Sequence, residues 1–92
     1  MGLVSRRSRT EIIHDMLDAL AKNRGRLKPT RLLYKANLSH AQMKDYVAEL
    51  EGKDLIRLVQ DKKAQYYEIT EEGYKFLHRL GRILEMSDAL GL

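Results

Sequence analysis

The chain has 92 residues, with 17 Lys and Arg against 13 Asp and Glu, a formal net charge of +4 and no cysteine. That length suits one small domain with a thin stability margin. The lack of cysteine excludes disulfides and the usual zinc frameworks. His14, His40 and His78 are far apart and show no metal-ligand spacing. No metal or cofactor is therefore expected, and self-association is the open route to further stability.

The charge is uneven. Residues 1–37 hold nine bases and three acids, whereas residues 38–52 hold one base and three acids. A positive first third favours an acidic partner such as nucleic acid. No apolar run approaches the roughly 20 residues needed to span a bilayer. The start, MGLVSRRSR, lacks the apolar stretch of a secretory signal, and Arg6 replaces the Ser or Thr of a myristoylation signal. A cytoplasmic, nucleoid-associated protein is the expectation.

Ser8-Arg9-Thr10-Glu11 has the S-x-x-E pattern of a capping box. Ile13, Leu17, Leu20 and Ala21 then recur at helical spacing, flanked by Ile12 and Met16, which predicts a helix over Arg9–Lys22. Asn23-Arg24-Gly25 ends it. Pro29 suits the first turn of a short second helix with Leu32, Leu33 and Ala36 on its buried side. After Asn37-Leu38, Ser39 and Gln42 form another capping pair, and Met43, Val47 and Leu50 give a third helix one buried face before Gly52.

The period then changes. Ile56 and Leu58, then Tyr67 and Ile69, alternate with polar neighbours as strand residues do, joined by the polar Gln60-Asp61-Lys62-Lys63-Ala64. Thr70 caps a last helix with Tyr74, Phe76, Leu77, Leu80, Ile83, Leu84 and Leu90 as its apolar set. The expected fold class is α+β, mostly α: a winged helix-turn-helix of three helices and a two-stranded β-hairpin wing, plus a C-terminal helix. Residues 1–70 form the binding domain, with 1–8 a basic, flexible arm, and residues 71–92 the dimerisation helix.

Four stretches carry a family resemblance: Arg9 to Leu17, Asn37-Leu38-Ser39, Glu49 to Ile56, and Tyr67-Glu68-Ile69-Thr70-Glu71-Glu72-Gly73. The last is similar to the Y-x-[IL]-T-x-x-G passage from wing strand to final helix. Together they resemble the small archaeal winged-helix DNA-binding proteins and transcriptional regulators with a C-terminal dimerisation helix. The resemblance implies double-stranded DNA binding and a homodimer. The chain departs from it in its final helix, which is shorter than the long coiled coils of the group's chromatin-like members.

The third helix is the candidate for the major groove, which admits one helix. Ser39, His40 and Gln42 stand at its leading end and Lys44 on its outward side; Gln42 can pair bidentately with adenine. Asp45 and Glu49 oppose this through repulsion of phosphate. Lys62, Lys63 and Gln65 on the wing, Arg31 and Lys35 on the second helix, and Arg26 and Lys28 before it fit phosphate contacts. Arg6, Arg7 and Arg9 are candidates for a minor-groove arm. Phe76, Leu80, Ile83 and Leu90 form one apolar line and Leu77 and Leu84 a second, broader than one small domain needs to cover, which suggests a dimer interface. Solvated helix faces and a fold-back of both lines are the plain alternatives. No Ser/His/Asp set and no glycine-rich phosphate loop occurs, so no enzyme is expected. The competing functions are a winged-helix protein-interaction module, favoured by the acidic balance of residues 38–52, a non-specific chromatin-associated protein, and RNA binding, for which exposed aromatics are few.

Overall fold

The computed structural model of the protein describes residues 7–91. Helix α1, Arg9–Lys22, begins in a complete capping box. The Glu11 amide donates to Ser8 Oγ at 3.1 Å, and Glu11 Oε1 accepts from the Ser8 amide at 2.9 Å. It stops where Arg24 and Gly25 take positive φ and the Gly25 amide donates to the Leu20 carbonyl at 2.8 Å, satisfying a carbonyl of the last turn.

Strand β1, Arg26–Leu27, follows, then α2, Pro29–Lys35, α3, His40–Gly52, β2, Ile56–Asp61, β3, Ala64–Ile69, and α4, Glu71–Ala89. The strands form one antiparallel sheet in the order β1-β3-β2. The sequence predicts a two-stranded hairpin, and the third strand is an addition. Two residues carry no periodicity, and β1 exists because Arg26 pairs with Glu68 and Leu27 with Tyr67 of β3. The hairpin is also tighter than expected. Its strands pair as far as Asp61 and Ala64, so only Lys62 and Lys63 turn the chain, with Lys62 at φ +58°.

The core lies between α1 and the other elements. Met16, Leu17 and Leu20 of α1 are fully buried with Leu32 of α2, Leu50 of α3 and Ile56 of β2. Phe76 and Leu77 of α4 are half-buried against this cluster, and Leu80 belongs to it.

One corner fixes the start of α4 to the turn between α3 and β2. The Thr70 amide donates to the Leu55 carbonyl at 3.0 Å, its hydroxyl donates to the Asp54 carbonyl at 2.7 Å, and Thr70 Oγ1 accepts from the Gly73 amide at 2.9 Å. A Cβ at position 73 would stand 2.2 Å from the Leu55 carbonyl oxygen. The T-x-x-G signature is therefore a packing device: threonine makes the bonds and glycine leaves room for the carbonyl they share.

Candidate nucleic-acid interface

Helix α3 buries Met43, Val47 and Leu50 and turns His40, Ala41, Gln42, Lys44, Asp45 and Ala48 outward. This follows from its period, since residues one turn apart share a face. The exposed face is polar, with small side chains at Ala41 and Ala48. Its first turn is held by a second capping box: the Gln42 amide donates to Ser39 Oγ at 3.1 Å, and the Ser39 amide donates to Gln42 Oε1 at 3.0 Å. Gln42 is thus partly committed to the cap, although its Nε2 is not used there.

Glu49, which the sequence sets against a phosphate partner, is paired within the domain. Its carboxylate pairs with the Arg9 guanidinium and with Lys53 Nζ at 3.1 Å. Arg9 first, then Lys53, hold that carboxyl below the usual carboxylate range. The Arg9 guanidinium also lies 5.7 Å from the Tyr46 ring centroid. Asp45 has no ion pair among the described residues and stays on the outer face.

Arg7 too is engaged inside the domain. Its Nη1 donates to Asp15 Oδ2 at 2.9 Å and its Nη2 donates to the Asn37 carbonyl at 2.6 Å. Arg7 and Arg9, candidates for a minor-groove arm in the sequence, thus tie the start of α1 to the α2–α3 turn and to α3. Arg6 lies outside the described residues. Neither tie could be read locally, because the partners are 30 and 40 residues away.

The candidate basic side chains do not form one cluster. Lys28, Pro29 and Thr30, where α2 begins, face Gln60, Lys63, Ala64 and Gln65 of the hairpin across one open groove. Lys62 is exposed at the hairpin tip beside it. Gln60 was missed as a groove residue; the signal was its cross-strand pairing with Gln65, which puts both amides on one sheet face. Lys35 lies elsewhere, in a shallow recess with Asp15, Asp18, Lys22 and Asn23. Arg31 is exposed on α2, as is Tyr34, at 73%.

The apolar lines of α4 separate in the structure. Leu80 is only 8% exposed and serves this chain's own core, as Phe76 and Leu77 do in part. Tyr74, Ile83, Met86 and Leu90 are exposed, and Leu84 is half-buried. Leu80 therefore cannot be part of a free surface: the packing of α4 on α1 covers it.

No group of His, Cys, Asp and Glu among the described residues could hold a metal ion, and no described helix is long and apolar enough to cross a membrane.

The architecture has a counterpart among known families. The winged helix-turn-helix profile matches residues 6–88. This chain belongs to the winged helix-turn-helix family. Its hairpin is the wing, and α2, the turn and α3 are the helix-turn-helix. Solved structures share the fold. Sso10a-2, a DNA-binding protein from Sulfolobus solfataricus, superposes with a TM-score of 0.80 at 21% identity, over 91% of this chain and 85% of that one. F93 from STIV, a winged-helix DNA-binding protein, gives 0.73 at 19% identity over 87% and 92%. The PcaV transcriptional regulator from Streptomyces coelicolor gives 0.74 at 23% identity, over 85% of this chain and 60% of that one. No curated protein sequence matches the chain.

Proposed function

We propose that this winged-helix protein is a transcriptional regulator that binds double-stranded DNA, with α3 in the major groove and the wing on the adjacent backbone or minor groove. The observation that carries the reading is the pair of exposed polar surfaces on α3 and on the wing. The polar outer face of α3, with its small side chains, is exposed, and the hairpin whose tip is Lys62-Lys63 faces Lys28 across an open groove. Internal pairing of Glu49 removes one of the two charges that argued against it. Lysines at that position suit phosphate, because such contacts need charge and little geometry, while Ser39, His40, Gln42 and Lys44 suit base edges or the flanking backbone. Arg31 on α2 fits a further backbone contact. The DNA-binding role of Sso10a-2 and F93 supports the same assignment.

The working form is a homodimer joined through α4. Exposed Ile83, Met86 and Leu90, with half-buried Leu84, make an apolar stripe that a second α4 would cover. Two linked domains on one duplex multiply a weak single-site affinity.

A fluorescence-anisotropy titration with random-sequence duplex at two salt concentrations tests the reading. Binding that weakens steeply with salt is expected. A protein that stays unbound at low salt, yet captures a partner protein through α3, would replace it with the interaction-module reading.

A further inference from the structure

The free end of the wing has little to hold it. Strand β1 reaches β3 only at Glu68 and Tyr67, so beyond them the described hairpin has strand partners only within itself. An isolated two-stranded ribbon is marginally ordered in water. Yet this is the segment that carries Lys62 and Lys63.

One side chain spans that gap. Arg26 sits on β1 level with Glu68, on the same sheet face as Tyr66 and Asp61. Its guanidinium lies 4.5 Å from the Tyr66 ring centroid, and its Nη2 donates to Asp61 Oδ2 at 2.8 Å. Asp61 is the last residue of β2, next to Lys62. The other charges on this face are already matched: Arg57 donates to Glu68 Oε1 through Nε at 3.1 Å and Nη2 at 2.9 Å. Arg26 is thus the partner left for Asp61, and Tyr66 fills the space beneath it.

We infer that Arg26 is a positioning residue for the wing: a strut from the root strand, over Tyr66, to Asp61, that sets where Lys62 and Lys63 stand. Arg26 was read from the sequence as a phosphate clamp before α2. In the structure its charge is spent on Asp61 and its plane on Tyr66. The inference rests on the DNA-binding reading for its consequence, but the strut itself does not.

The sign of one substitution separates a strut from simple electrostatics. Asp61→Ala removes a negative charge beside two lysines, so a charge count alone expects tighter DNA binding. A strut expects the reverse, because the free lysines lose their fixed place. Exposed ion pairs and cation–π contacts are individually modest, so the loss should be about threefold to tenfold in Kd on random duplex. Arg26→Gln should behave alike, and the exchange Arg26→Asp with Asp61→Arg should recover most of the affinity. In a Lys62→Ala/Lys63→Ala background, Asp61→Ala should change affinity no further, since nothing remains to be positioned. Amide ¹⁵N order parameters at residues 62–65 should fall in Asp61→Ala and Arg26→Gln and return in the exchange variant. Tighter or unchanged binding by a folded Asp61→Ala protein, or a hairpin tip equally ordered in all variants, overturns the strut. If the wild type binds no duplex, the DNA reading fails by itself, and the order parameters still decide the strut.

Discussion

Helices α3 and α4 are both amphipathic, and both leave one face uncovered, but they leave opposite kinds of face. Helix α3 turns out His40, Gln42, Lys44, Asp45 and two alanines. Helix α4 turns out Ile83 and Met86 along its second half and Leu90 at its C-cap, after using Leu80 in the core. Apolar surface left in water costs free energy roughly in proportion to its area, so a stripe like that of α4 is stable chiefly when something apolar covers it. A polar helix face carries no such penalty and is suited to a wet, charged partner. Under the proposed function the two surfaces have separate tasks, one toward another protein surface and one toward a polyanion.

The comparison breaks most visibly within α4 itself. Leu80→Ala should cost roughly 3 kcal/mol of unfolding free energy, as deletion of a buried leucine does, and the cost should not depend on protein concentration. Ile83→Glu, three residues on, should leave the monomer's fold intact and shift sedimentation equilibrium from dimer to monomer. Urea melts of both variants at two protein concentrations check this. Concentration-independent loss at both positions would mean that the outer stripe has no partner.

A sharper cut on α3 uses the cap. Glutamate can replace Gln42 in the capping box, because the box needs only the acceptor oxygen. Gln42→Glu should therefore keep the melting temperature while Gln42→Ala loses some helix stability. Both should reduce the preference among duplex sequences, by about 1–3 kcal/mol for a lost bidentate pair. Unchanged preference in a well-folded Gln42→Glu protein would remove Gln42 from base readout.

The smallest expected effect concerns acid. Glu49 is held below the ordinary carboxylate range by Arg9 and Lys53, and Glu11 by its bonds to Ser8. Groups whose folded pKa is depressed contribute stability that is present above their unfolded pKa and lost as pH falls through the folded value. Stability should decline below the ordinary glutamate range, and Glu49→Gln should shallow that decline. Parallel urea titrations from neutral to acid pH measure it; identical slopes would show that the Arg9 pair contributes nothing.

Helix ends were legible because caps are local. Ser8 with Glu11, Ser39 with Gln42, and Thr70 each announce a start within four residues, and all three start the helices seen. Strand β1 was not legible, since pairing across 40 or more residues creates it. The tight hairpin turn was hidden for a different reason: Lys62 adopts a left-handed conformation without the glycine or asparagine that would advertise it. Periodicity on α4 marked its large apolar residues except Met86, and it carries no information about which stripe the domain's own core covers. The wing lysines were readable from their place in the hairpin. The partners of Arg9 and Arg26 were not, because each charge is matched by a distant element, and nor was the distant Asn37 carbonyl that Arg7 reaches.

The central claim, that the wing and α3 together grip duplex DNA, is tested most directly by the salt dependence of binding in wild type and in Lys62→Ala/Lys63→Ala. Each lost phosphate contact should remove about 0.9 from the slope of log K against log salt. The double variant should therefore bind random duplex more weakly, with a slope shallower by roughly 2 units. Equal affinity and equal slope in the two proteins would contradict the account.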